Sequence, residues 1–135
     1  MNNILDCIEK GDIVNLIKYL QHSSELTSQI TSYASFYGRL DCLKYLIEIA
    51  KCPVSEDAFV SAAEKGNTKC LQYLFKTCPI NTSRDCLDVS ELITCYAAGN
   101  NHIDCLKIAI QNNCLVSQAT LNVAVGECLV LLQNI

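Results

Sequence analysis

Apolar residues return along this chain at helical spacing, in short segments that come in pairs. Ile13, Leu16, Ile17 and Leu20 fall on one face of a helix, with Lys18 off the stripe. Leu40, Leu43, Leu46 and Ile47 repeat the pattern and leave Asp41, Lys44 and Glu48 for solvent. These three charges stand three and four positions apart, a spacing at which side chains pair across a helix surface for about 0.2–0.5 kcal/mol each. The surrounding text recurs as well. GRLDCLKYLI at 38–47 returns as GNTKCLQYLF at 66–75 and as NHIDCLKIAI at 101–110. A looser copy, GDIVNLIKYL, begins at Gly11, and a shortened one, GECLVLL, begins at Gly126.

Each copy follows a first helical segment that a turn residue ends. ILDCIEK, capped by Asn2 or Asn3, runs to Gly11, and Asp12 caps the segment that follows. ITSYASFY places Ile30, Tyr33, Ala34 and Tyr37 on one side and ends at Gly38. AFVSAAEK ends at Gly66. LITCYAAG is followed by NNHIDCLKIAIQ, with Asn101 in the slot glycine holds elsewhere, the residue type that tolerates positive φ best after glycine. TLNVAV opens the last unit. The polar run from His22 to Gln29 reads as a loop, as does VSED, where Ser55 or Asp57 caps the next helix. Cys52-Pro53 and Cys78-Pro79 act as stop signals, because the residue before proline is pushed out of the helical region. The segment from Ile80 to Glu91 is longer than its counterparts and reads as an irregular loop projecting from one face.

No such unit can bury its apolar face alone, so the units are expected to stack. The expected fold is a single all-α domain, a solenoid of stacked helix-turn-helix repeats. Its five units run over about 3–29, 30–57, 58–91, 92–118 and 119–135, with atypical ends. Cys42 and Cys70 stand 28 positions apart and Cys70 and Cys105 stand 35 apart, the excess falling in the 80–91 segment. Ala62-Ala63 and Ala97-Ala98, just before the turns, allow close approach of the paired helices.

The combination of an alanine pair, a turn, and Cys-Leu-x-Tyr-Leu resembles ankyrin repeats, with Asn101-His102-Ile103 at the family's Gly-His-Leu position. Cys-Leu-Lys-Tyr-Leu followed by Cys-Pro is similar to the divergent ankyrin repeats of giant viruses of amoebae. The Thr-Pro-Leu-His opening and the hairpin text of the standard repeat are missing, so the hairpin fingers are expected to be plain turns. The resemblance implies protein binding on a concave surface made by first helices and loop tips.

Composition narrows the function classes. Half of the 135 residues are apolar, which argues against disorder. A net charge of -4, with no Lys/Arg cluster, argues against nucleic acid or an anionic membrane as partner. MNNILDCIEKGD has no basic start and no signal-length apolar run, and no stretch reaches the ~18 apolar residues of a membrane span. An intracellular, cytoplasmic setting is expected, the host cytoplasm if the chain is viral.

Ten cysteines without a secretory signal point to free thiols. Cys42, Cys70, Cys105 and Cys128 share one repeat slot and are expected to pack as small hydrophobes. Packed helices lie about 8–10 Å apart, too far for a disulfide or a tight zinc site at equivalent positions. Cys86 is the expected exposed thiol. His102 is expected to serve its turn and His22 to complement a helix C-terminus. Tyr45 and Tyr73 share a packing slot. Asp41, Glu48, Glu64 and Asp104 read as a solvated face, and no phosphate loop or nucleophile elbow is present.

The expectation is therefore a non-enzymatic interaction module with no catalytic, cofactor or metal residues. Its contact surface is placed on Ser32, Phe36, Glu56, Ser61, Lys65, Tyr96 and Asn100, with Arg84, Asp85 and Asp88 from the long segment. The alternatives are a cysteine-based metal or redox protein, and a structural subunit that self-associates through the apolar end LVLLQNI.

Overall fold

A computed structural model describes residues 2–22, 26–78 and 87–135, with the backbone alone at 2, 3, 87 and 88. The described residues form ten helices and no strand. In chain order they are α1 (Asn2–Lys10), α2 (Ile13–Gln21), α3 (Ser28–Phe36), α4 (Leu40–Glu48) and α5 (Glu56–Lys65). There follow α6 (Thr68–Thr77), α7 (Leu87–Gly99), α8 (Ile103–Gln111), α9 (Gln118–Val123) and α10 (Gly126–Gln133). None is long and apolar enough to cross a membrane.

The helices pack in two rows. α1, α3, α5, α7 and α9 lie side by side in one, and α2, α4, α6, α8 and α10 in the other. α1 packs on α2, α3 on α4, α5 on α6 and α7 on α8, while α10 packs on α7 and α8. The core runs between the rows. Leu43, Leu46, Leu71, Leu74 and Leu106 from the second row are fully buried against Ala34, Ala62, Ala63, Ala97 and Ala98 from the first. With only a methyl group at those alanines, the helices close up without displacing one another. Cys42, Cys70, Cys105 and Cys128 are buried in the slot that sequence periodicity indicated.

The turns between paired helices also join neighbouring units. Each first helix ends with carbonyl groups that have no partner within the helix. The residue after the next unit's turn reaches back to them. Arg39 Nε donates to Ile8 O at 3.2 Å, and its guanidinium also meets Glu9 O. Asn67 Nδ2 donates to Ser35 O at 2.7 Å and to Phe36 O at 2.8 Å. His102, expected to serve its own turn, has Nε2 3.1 Å from Glu64 O of the preceding unit. In the last unit the backbone N–H of Val125 takes over, donating to Ala98 O at 3.2 Å. Gly66 closes α5 in the left-handed conformation, and Asn101 holds the equivalent place after α7 at φ 57°.

Helix boundaries depart from the sequence expectation at several places. α3 begins at Ser28, inside the polar run read as a loop, and α9 begins at Gln118. α7 begins at Leu87, so residues 87–91 belong to a helix and not to the irregular segment. Ser90, a loop-like residue by type, is buried there because its hydroxyl accepts from the backbone N–H of Leu115 at 2.5 Å. The proline stop is also not where α4 ends. The helix closes at Glu48, and Lys51 takes a left-handed φ of 56° that lets Cys52 N bond Leu46 O.

Candidate functional site

The first-row helices leave a groove of about 490 Å³ where α1, α3 and α5 meet. Two stripes at one-turn spacing form its walls. Ser28, Ser32 and Phe36 come from α3, and Asp57 and Ser61 come from α5, with Lys65 one turn further on. The members of the two stripes stand 29 positions apart in sequence, and at one end the match is direct: Lys65 Nζ lies 4.7 Å from the centre of the Phe36 ring. That is cation–π distance. The middle of both walls is serine, and the small side chains are what leave the space open. Leu5 of α1 closes one side, with Tyr33 and Tyr37 beside it.

The aromatic residues form one cluster. Tyr37 packs at 5.1 Å between centroids on Tyr33, and edge-on at 5.1 Å on Phe36. The Tyr33 hydroxyl raises the Tyr37 phenol above its ordinary value, with a smaller contribution from burial. Ser32 Oγ is buried with no hydrogen-bond partner, although the residue lines the groove.

Of the residues singled out from sequence, Ser32, Phe36, Ser61 and Lys65 come together here. Glu56 is exposed at the start of α5, next to Asp57. Tyr96 and Asn100 are exposed on α7, where Asn100 Nδ2 donates to Tyr96 O at 2.9 Å. They continue the face one helix along, outside the groove itself. Arg84 and Asp85 lie outside the described residues, as do the side chain of Asp88 and all of Cys86. Sequence reasoning missed Ser28 and Asp57, which it read as loop and cap. Counting one turn back from Ser32 and from Ser61 would have found both.

Seven of the nine described cysteines are buried. All nine described cysteines are free. Burial raises the Cys70 thiol to about 11, with the neighbouring Cys105 adding to the effect. Burial likewise raises Cys42, Cys52, Cys105, Cys114 and Cys128. Since the thiolate is the nucleophile and the metal ligand, burial of this kind suppresses both uses. Among the described residues no three or more His, Cys, Asp or Glu side chains converge as a metal site would need. Comparison of the chain with protein-family models, with curated proteins and with solved structures returned no match.

Proposed function

We propose that the chain is an ankyrin-like solenoid that binds a protein partner, without catalysis, on the face formed by its first-row helices. The observation that carries this reading is the groove between α3 and α5, which joins an aromatic cluster to exposed polar and charged side chains. Aromatic anchors surrounded by polar groups are the composition of interface hot spots. The row arrangement of the helices supports the solenoid, and the sequence resemblance supports the ankyrin assignment.

A photo-crosslinking residue placed at Ser61, in the groove, and at Gln72, exposed on α6, tests the placement. Cross-linked partner from position 61 and not from 72, lost with Phe36→Ala, is the expected outcome. Equal capture from both positions removes it.

One observation favours a second reading, that of a structural subunit. Val123, Val125 and Val130, in or beside α9 and α10, are all exposed. Sedimentation at several concentrations decides this reading: a monomer at all of them removes it, and Val130→Asp abolishes any association that is seen.

A further inference from the structure

Asp57 lines the groove at one end, and Lys65 lies just past the other with Nζ over the Phe36 ring. Asp57, with exposed Glu56 beside it, stands at the start of α5, and exposed Lys65 stands at its end. The helix dipole accounts for the sign of each, acid at the N-terminus and cation at the C-terminus. It does not account for their sharing one face with Ser61, at successive turns along the groove. The eight positions from Asp57 to Lys65 span ~12 Å of helix, the length of about four residues of extended peptide. The serines in the middle leave room there, beside Tyr33 and Phe36.

We infer that the groove takes an extended peptide segment bearing opposite charges about four residues apart, with an apolar side chain between them. The cationic residue of the segment faces Asp57 and Glu56, and the anionic one faces Lys65. The apolar residue fills the space at Ser32 and Ser61 against the aromatic cluster. This deepens the protein-binding reading and rests on it.

Three fluorescently labelled peptides of one length test it by anisotropy titration: Arg-x-Leu-x-Glu, Arg-x-Leu-x-Arg and Glu-x-Leu-x-Glu at their centres. The wild-type chain is expected to prefer the mixed-charge peptide about tenfold over either like-charged one, since an attractive contact becomes a repulsive one at a single end. Asp57→Lys combined with Glu56→Gln makes both ends cationic and shifts the preference to Glu-x-Leu-x-Glu. Lys65→Glu makes both ends anionic and shifts it to Arg-x-Leu-x-Arg. All three side chains are exposed, so circular dichroism is expected to be unchanged. Equal affinity for the three peptides, an order that neither variant alters, or no binding by the folded chain overturns the inference. In each of those cases a crosslinked partner at Ser61 that is lost with Phe36→Ala still upholds protein binding and rejects only the charge pattern.

Discussion

The His102 ring lies directly over Gly66. A Cβ on that glycine would come within 2.6 Å of His102 Nδ1, while His102 Nε2 is 3.1 Å from Glu64 O. Glycine is needed at 66 twice over, by its φ of 74° and by the side chain of the following unit. Gly38 repeats the relationship with Asn67, whose Oδ1 would stand 2.7 Å from an added Cβ.

Gly66→Ala is expected to destabilise the fold by about 2–3 kcal/mol, the left-handed penalty plus the displacement of His102. Asn101→Gly, at the equivalent turn, is expected to cost less than about 1 kcal/mol. It loses the contact from Cys128 N to Asn101 Oδ1 at 3.3 Å but relieves the non-glycine backbone. Urea unfolding with matched m-values measures both. A loss at Gly66→Ala of about 1 kcal/mol, the left-handed penalty alone, would show that the turn conformation and not the overlying ring sets the requirement.

Asn67→Ala strands the Phe36 carbonyl and leaves Ser35 O with only the Gly38 N–H, and is expected to cost about 1–3 kcal/mol. Asn67→Asp is expected to be worse, because a carboxylate accepts and cannot donate to a carbonyl. Asn67→Asp as stable as wild type would show that the reach-back bond carries no stability.

The Tyr73 hydroxyl donates to Glu48 Oε2 at 2.5 Å, tying α6 to α4. Burial first, and then this bond to a carboxylate, push the phenol up to about 12. The folded state thus favours neutral tyrosine, and the unfolded chain ionises first. The resulting stability is fully present below about pH 10, the ordinary tyrosine value, and is lost as pH rises toward 12. Wild type is expected to exceed Tyr73→Phe in stability at pH 9 by more than at pH 11.5. A constant gap between the two in urea titrations at both pH values would contradict this.

Cys70 is expected to resist a thiol reagent in the native state and to react at the rate of opening, as a thiol raised to about 11 and 1% exposed should. Its labelling, followed by mass spectrometry, is expected to accelerate with urea in step with unfolding. Rapid native labelling would show that Cys70 is accessible in the folded state.

The repeating phrase and its helical spacing determined the helix pairs, the turn positions and the buried cysteine slot, because period and turn chemistry are local properties. Ser32, Phe36, Ser61 and Lys65 were legible as surface candidates for the same reason. That Lys65 lies over Phe36, and that Asp57 and Ser28 belong to the same groove, depends on the register between α3 and α5, which no single segment encodes. Ser90 inside a helix and Arg39, Asn67 and His102 on the carbonyls of another unit were likewise decided in three dimensions. A polar side chain is read from sequence as loop or surface. Only packing supplies the distant backbone group that lets it be buried.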